Sequence, residues 1–231
     1  MKCVAIIPAR GGSKRIKNKN IRLFNGLPII LYSIQSARES GLFDSIIVST
    51  DDDETANIAS KGGAEVPFRR RPELSDDFTG TDEVILNVIE WLEEHRQVPE
   101  YICCIYATAP FLLSEDLRQG WDLIKTKSCA AVFSITSYEY TIFRSLRIRQ
   151  DGYLEMIWPE NQSKRSQDLP QAWHDAAQFY WAVTDRYREN RNFFKDAIPI
   201  ILPRWRVQDI DTPEDWERTE KMYQVFKGTK Y

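Results

Sequence analysis

The chain has 231 residues, 42% of them hydrophobic, with a formal net charge of −3; that suffices for one sizeable core with a subdomain, and argues against general affinity for nucleic acid or membrane surfaces. Its four cysteines, Cys3, Cys103, Cys104 and Cys129, show no zinc-site spacing and read as buried free thiols of a reducing compartment. The first apolar run is too short for a signal peptide and no run reaches a membrane span, so a cytoplasmic location is expected.

In chain order, CVAIIPA (3–9) reads as a buried strand, and LPIILYSIQSARESG (27–41) as an amphipathic helix stopped by Gly41. The strand SIIVST (45–50) and the helix DETANIASKGG (53–63) follow, with Asp51 to Glu54 placed where acidic side chains favour a helix N-terminus. The most regular helix is DEVILNVIEWLEEH (82–95), with Thr79 or Thr81 as its expected cap. In the strand YICCIYA (101–107), Cys103 and Cys104 should point to opposite faces. AAVFSI (130–135), QFYWAV (178–183) and PIILP (199–203) are further strands, and Thr212 can cap a last helix beginning at Pro213. Apolar runs without alternation, separated by helices, predict a doubly wound, mostly parallel α/β sheet covered on both faces. One domain over 1–231 is expected. The polar, aromatic stretch 137–177 breaks the pattern as an arm, lid or dimerisation subdomain, with a hairpin about Asp151-Gly152.

Charge is unevenly placed. Eight of the 31 Lys/Arg precede Glu39, the first of the 34 acidic residues. IIPARGGSKRIKNKN (6–20) therefore runs from a strand into two glycines and a cluster of cations with no carboxylate to balance them. In open α/β sheets ligands sit at the carboxyl ends of strands. Gly11 and Gly12 can present N–H groups as an anion nest, with Arg10, Lys14, Arg15, Lys17 and Lys19 around it. The spacing is neither a Walker A loop nor a dinucleotide fingerprint. It reads as a phosphate-binding loop, against the plainer reading of a solvated basic loop.

Near the other end, Asp209 and Asp211 in VQDID (207–211) would share one face of a strand. A pair of carboxylates with substrate phosphates suits Mg²⁺; the competing reading leaves Asp211 to the following helix cap. Together the loop and the pair point to a nucleoside triphosphate with magnesium. The arginines of FRRRPELSDD (68–77) are ligand contacts or a solvated face, and His174 is a packed histidine or a general base.

ARGGSKRIKNKNIRLFNGLPII, VSTDDDE, RPELSDD, RSQDLPQAWHDAAQFYW and QDIDTPED, in this order over residues 3 to about 220, resemble the acylneuraminate cytidylyltransferase family. Its members join CTP to an acidic sugar with release of pyrophosphate. YATAPF (106–111) and HDAAQFYW (174–181) look most like the branch that uses pseudaminic acid, with Ala177 where that branch has glycine. Tyr106, Ser166 and Gln178 depart from the neuraminate pattern.

The resemblance implies a Rossmann-like, three-layer nucleotidyltransferase fold and a set of roles. Arg10, Gly11, Gly12, Ser13, Lys14, Lys19 and Asn20 would meet the nucleotide, with Arg70 (or Arg71), Thr79, Thr81 and Tyr106. Arg165, Gln167, Gln178 and Tyr180 would meet the sugar acid. Asp209 and Asp211 would hold Mg²⁺. Arg10, Lys19, Asp211 and Arg165 would carry the catalytic charge. The arm would be exchanged in a homodimer. Synthetases for neuraminate, legionaminate or an octulosonate, sugar-1-phosphate nucleotidyltransferases and a non-catalytic nucleotide-binding regulator are the alternatives; no general base stands out.

Overall fold

The computed structural model describes residues 2–228. Its elements are β1 (Cys3–Pro8), β2 (Leu23–Phe24), β3 (Leu27–Pro28), α1 (Ile30–Ser40), β4 (Ser45–Ser49), α2 (Asp53–Lys61), α3 (Thr81–Glu94), β5 (Tyr101–Ile105), α4 (Ser114–Thr126), β6 (Ala131–Ser137), β7 (Leu146–Ile148), β8 (Leu154–Met156), β9 (Trp173–Val183), α5 (Thr184–Asn190), β10 (Ala197–Ile201) and α6 (Pro213–Gly228). Six strands form the central sheet in the order β10-β6-β9-β5-β1-β4.

Five of these strands match apolar runs within a few residues, and the helices that the periodicity marked are present. Gly41 ends α1 in the left-handed conformation (φ 68°), which glycine adopts without a Cβ clash. The Asp52 carboxylate caps α2, accepting from the Thr55 N–H at 2.7 Å. Thr212 and Asp215 cap α6 reciprocally, Asp215 N–H donating to Thr212 Oγ1 (3.1 Å) and Thr212 N–H to Asp215 Oδ2 (2.8 Å).

β9 differs from expectation in length and direction. It runs eleven residues and pairs antiparallel with both β5 and β6, while β1/β4, β1/β5 and β6/β10 are parallel. The chain leaves β6, makes the 138–172 excursion and returns beside the same strand. No helix crosses between them, so the pairing has no reason to be parallel. α4 and α5 lie outside the periodic stretches. α4 carries Gly120 at its centre because a Cβ there would stand 2.6 Å from the Trp181 ring.

Cys3, Ala5, Ile7, Cys103 and Trp181 face α1, α2 and α4, and Val4, Ile6, Cys104 and Tyr180 face α3 and α5. Cys103 and Cys104 thus take opposite faces, and all four cysteines are buried free thiols. A third cluster of Ile16, Phe24, Tyr32, Phe111, Ile210, Trp216 and Tyr223 pins α6 against the β2–β3 turn. Phe24 meets Tyr32, Trp216 and Tyr223 edge-on at 5.3–5.7 Å between ring centres, the favoured aromatic geometry.

Candidate active site

The carboxyl ends of β1 and β5 open into a cavity of about 490 Å³ whose walls include Pro8, Ala107 and Thr108, the position expected for a ligand in an open α/β sheet. Arg10, Lys14, Arg15, Lys19 and Arg70 line it together with Ser13, Asn20, Thr79, Thr81 and Tyr106. The first loop and the segment before α3, some sixty residues apart, thus meet across one cleft as the sequence reading placed them.

Each cation is held. Arg10 donates to the Asp76 carbonyl (2.6 Å) and to Asp77 Oδ1 (2.8 Å), and Lys14 pairs with the other Asp77 oxygen. Hydrogen bonds from Lys14 and Arg10 hold the Asp77 carboxyl below its usual value. Asn20 steadies the turn by donating to the Arg10 carbonyl at 2.9 Å. Arg70 is the buried one of its three-arginine run, donating to Ser49 O (2.6 Å) and Leu74 O (3.3 Å), and burial lowers its pKa. Arg71 is exposed and outside the cavity wall, and Arg69 pairs with Asp53 on the surface.

The glycines serve the loop differently from an open nest. The Gly11 N–H donates to Asp51 Oδ1 at 2.9 Å, and a Cβ at Gly11 would stand 2.7 Å from the Asp52 Cβ. Glycine is required there because the loop lies against the start of α2. Gly11 and Gly12 are absent from the cavity wall, as is exposed Lys17.

Asp209 and Asp211 lie in irregular chain rather than in the expected strand, on either side of Ile210, which is buried in the third cluster, and neither lines the cavity. Lys19 donates to the Ile210 carbonyl at 2.7 Å, and its ammonium is 3.6 Å from Asp211 Oδ1. Arg15 reaches the same oxygen at 2.9 Å. The helix cap uses Thr212 and Asp215, so the Asp211 carboxylate is left to face these two cavity-lining cations. Desolvation and the Asp211 charge raise the Asp209 carboxyl above its ordinary value, with Lys19 opposing.

A second cavity of about 160 Å³ shares Thr81 and Tyr106 with the first and is completed by Asp82, Asp175, Tyr180, Phe193 and Phe194. The helix cap leaves Thr81 available for this wall: Gly80 occupies the cap position of α3, and the Thr79 hydroxyl donates to Asp76 Oδ1 (2.7 Å). Tyr180 donates to Asp175 Oδ2 at 2.5 Å, and Tyr187 to Asp82 Oδ1 at 2.6 Å. Burial, then the neighbouring Tyr106 and Asp175, push the Tyr180 phenol far up, so it remains a donor.

Other expected contacts are not gathered here. Arg165 and Gln167 sit on an exposed turn of the excursion, where Arg165 pairs with Asp168 at 2.7 Å, and neither lines either cavity. Gln178 is buried and donates to the Arg206 carbonyl at 2.7 Å. His174 is packed on Tyr138, with Nδ1 2.8 Å from the Asp175 carbonyl.

Asp77, Asp82, Asp175, Phe193 and Phe194 escaped the sequence reading, and so did the buried Asp116–Arg206 pair (2.8 and 2.9 Å). For Asp77 a signal existed, since it lies in the quoted RPELSDD segment. No sequence pattern marks Asp116 and Arg206, ninety residues apart, as partners.

The comparisons with known proteins agree with this geometry. A cytidylyltransferase family model matches residues 4–224. Pseudaminic acid cytidylyltransferase of Campylobacter jejuni is 41% identical over 97% of both chains. The CMP-N,N'-diacetyllegionaminic acid synthase of Legionella pneumophila is 32% identical, also over 97% of both. A solved CMP:2-keto-3-deoxy-manno-octonic acid synthetase, complexed with CTP, superposes with a TM-score of 0.68 at 13% identity, covering 98% of this chain and 100% of the other. A cationic cleft at the strand ends, on a sheet of this order and with these relatives, places the chain in the cytidylyltransferase family.

Proposed function

We propose that the protein joins CTP to pseudaminic acid, forming the CMP-sugar and pyrophosphate for glycan biosynthesis. The observation that carries this reading is the pair of abutting cavities: one cationic, sized for a nucleotide, the other aromatic and acidic, joined through Thr81 and Tyr106. Whole-length identity to the Campylobacter enzyme supports the choice of sugar.

The anomeric hydroxyl of the sugar attacks the α-phosphorus, and the bond to the pyrophosphate oxygen breaks in line. Such a transfer needs positioning and charge neutralisation above all. Arg10, Lys14, Arg15 and Lys19 supply fixed positive charge for the triphosphate and the departing pyrophosphate. Lys19, tethered to Ile210, keeps its charge in register with Asp211.

The donor set fits Mg²⁺. Asp209 and Asp211 offer two hard oxygen donors, and no group of three or more His, Cys, Asp or Glu able to hold a metal occurs among the described residues. Phosphate oxygens would complete the shell, as is usual for this ion. When bound, it would supply Lewis-acid polarisation of the α-phosphate.

The excursion is the proposed dimerisation arm. Tyr140, Ile148, Tyr153 and Leu154 are 82, 74, 71 and 65% exposed, an apolar surface that a second copy would cover. Exchange of the arm would bring Arg165 and Gln167 to the partner's cleft, where the guanidinium suits a sugar carboxylate. Cytoplasmic activity is supported by the four free thiols. No helix of the described residues is long and apolar enough to cross a membrane.

The test is kcat/KM with CTP, Mg²⁺ and a panel of sugars. Pseudaminic acid is expected to exceed N-acetylneuraminic acid at least about tenfold, the lower end of what even an apolar pocket discriminates. Equality or the reverse order rejects the choice of sugar.

A further inference from the structure

Gln178 of β9 is expected at the sugar by family resemblance, yet it lines neither cavity and is only 4% exposed. Its carbonyl accepts from the Tyr106 N–H at 3.0 Å, and its Nε2 donates to the Arg206 carbonyl at 2.7 Å. The remaining amide atom, Oε1, is buried and finds no donor among the described residues. A buried acceptor without a donor costs free energy that an apolar side chain of the same shape avoids. What the amide supplies in return is its hold on Arg206.

Arg206 is thereby fixed at both ends, its guanidinium by Asp116 of α4 and its carbonyl by β9. From Arg206 the chain passes through Val207 and Gln208 to Asp209 and Asp211 without joining a strand. Its next fixed point is Ile210, buried in the third cluster, with its carbonyl accepting from Lys19 at 2.7 Å. The carboxylates therefore stand on a short irregular span whose near anchor is Arg206. Tyr106, held by the main chain of the same glutamine, is the wall common to both cavities. One residue thus fixes the shared wall and the start of the carboxylate segment.

We propose that Gln178 is a positioning residue that, acting through Arg206, sets the Asp209 and Asp211 carboxylates against the wall at Tyr106. It touches neither nucleotide nor sugar. The inference rests on the proposed reading of the two aspartates as the Mg²⁺ pair and deepens it. In-line transfer is sensitive to placement, since a displacement of about 1 Å remote from the chemistry can cost about a hundredfold. Without the amide donor the span loses its tether to β9, while the walls of both cavities remain.

The experiment compares wild type with Gln178→Met, which keeps the length of the side chain and removes the donor. It measures kcat, KM for CTP and for pseudaminic acid, and Tm. It also measures the Mn²⁺ bound by the protein–CTP complex without sugar, above that held by CTP alone. In Gln178→Met, kcat should fall about tenfold or more, with both KM values within about threefold of wild type. Mn²⁺ affinity should weaken about threefold or more, as the paired carboxylates lose their register. Tm should stay within about 4 °C, because the exchange removes one unpartnered buried oxygen and creates another.

Unchanged Mn²⁺ affinity would overturn the assignment and leave Gln178 a support of the core. A retained kcat with a raised KM for the sugar would overturn it in favour of direct sugar contact. Asp211→Ala separates the two levels of the reading. An inactive Asp211→Ala beside a wild-type-like Gln178→Met rejects the positioning role alone. A wild-type-like Asp211→Ala rejects the metal pair, and the positioning role with it. If Gln178→Met does not fold, Gln178→Asn decides: its amide is one methylene too short for the Arg206 carbonyl, and wild-type kcat there rejects the proposal.

Discussion

The two cavities share a wall and are built on opposite principles. The cationic cleft is lined with cations held by carboxylates and carbonyls of the surrounding loops: Arg10 and Lys14 by Asp77, Arg15 and Lys19 by Asp211. The smaller cavity is reversed in sign, with Asp82 and Asp175 accepting from tyrosine hydroxyls on packed elements. A triphosphate can be bound by charge that tolerates small displacements. A sugar must be told from its isomers by donors and acceptors at defined places, which a loop of lysines cannot provide. On the proposed function, opposite polarity on the two sides of Thr81 and Tyr106 would also orient the substrates, since a reversed sugar would face its carboxylate toward Asp82 and Asp175.

The comparison can be broken most severely at Asp211. Asp211→Ala should lose about a thousandfold or more of turnover, several kcal/mol of transition-state stabilisation, with its fold intact. The residue is on the open side of the chain and contributes little to the core. A folded variant retaining more than about a tenth of the wild-type rate with Mg²⁺ would remove the metal assignment from the nucleotide side.

The next largest effect belongs to neither cavity. Arg206 and Asp116 form a bidentate pair whose side chains are only 8 and 6% exposed. Asp116 also accepts from the Leu113 N–H, and the Arg206 carbonyl accepts from Gln178 on β9. The pair thus ties α4 and β9 to the segment that leads to Asp209. Asp116→Ala should cost about 3–5 kcal/mol in chemical denaturation by leaving Arg206 buried and unpaired. A loss below about 1 kcal/mol would mean that water reaches the guanidinium in solution.

At Asp77 the effect is smaller and of opposite sign. Its carboxylate competes with phosphate for Arg10 and Lys14, so Asp77→Asn should lower KM for CTP about twofold to fivefold, with the gain shrinking in high salt. A raised KM would show that Asp77 instead orients Arg10 for the nucleotide. The sharpest structural test on the sugar side is Ala177, whose φ of 51° is strained for any residue with a Cβ. Ala177→Gly should stabilise the protein by about 1 kcal/mol and raise Tm by about 2–4 °C, without moving the sugar ratio. A fall in Tm would indicate that the alanine methyl is packed more tightly than the backbone is strained.

How legible each side was in the sequence follows from the same contrast. The cleft announced itself because its cations cluster in one loop ahead of any acid, and because Asp209 and Asp211 stand two apart near the other end of the chain. Charge clustering and short spacings survive in one dimension. Arg70 rather than Arg71 was undecided, because only the packing at the end of β4 and in the 72–74 turn selects which guanidinium is buried.

The sequence by itself therefore determined the strands and most helices, the opposite faces of Cys103 and Cys104, the Thr212 cap and the cationic loop, all consequences of local periodicity or composition. Tertiary structure alone decided that β9 runs antiparallel, that the Gly11 N–H goes to Asp51, that Asp116 finds Arg206, and that Thr81, Asp82, Tyr106, Asp175 and Phe193 close one cavity. Those residues are distant along the chain, and their meeting depends on strand order, one β-bulge and the packing of α3 and α5. Such long-range terms leave no spacing to read.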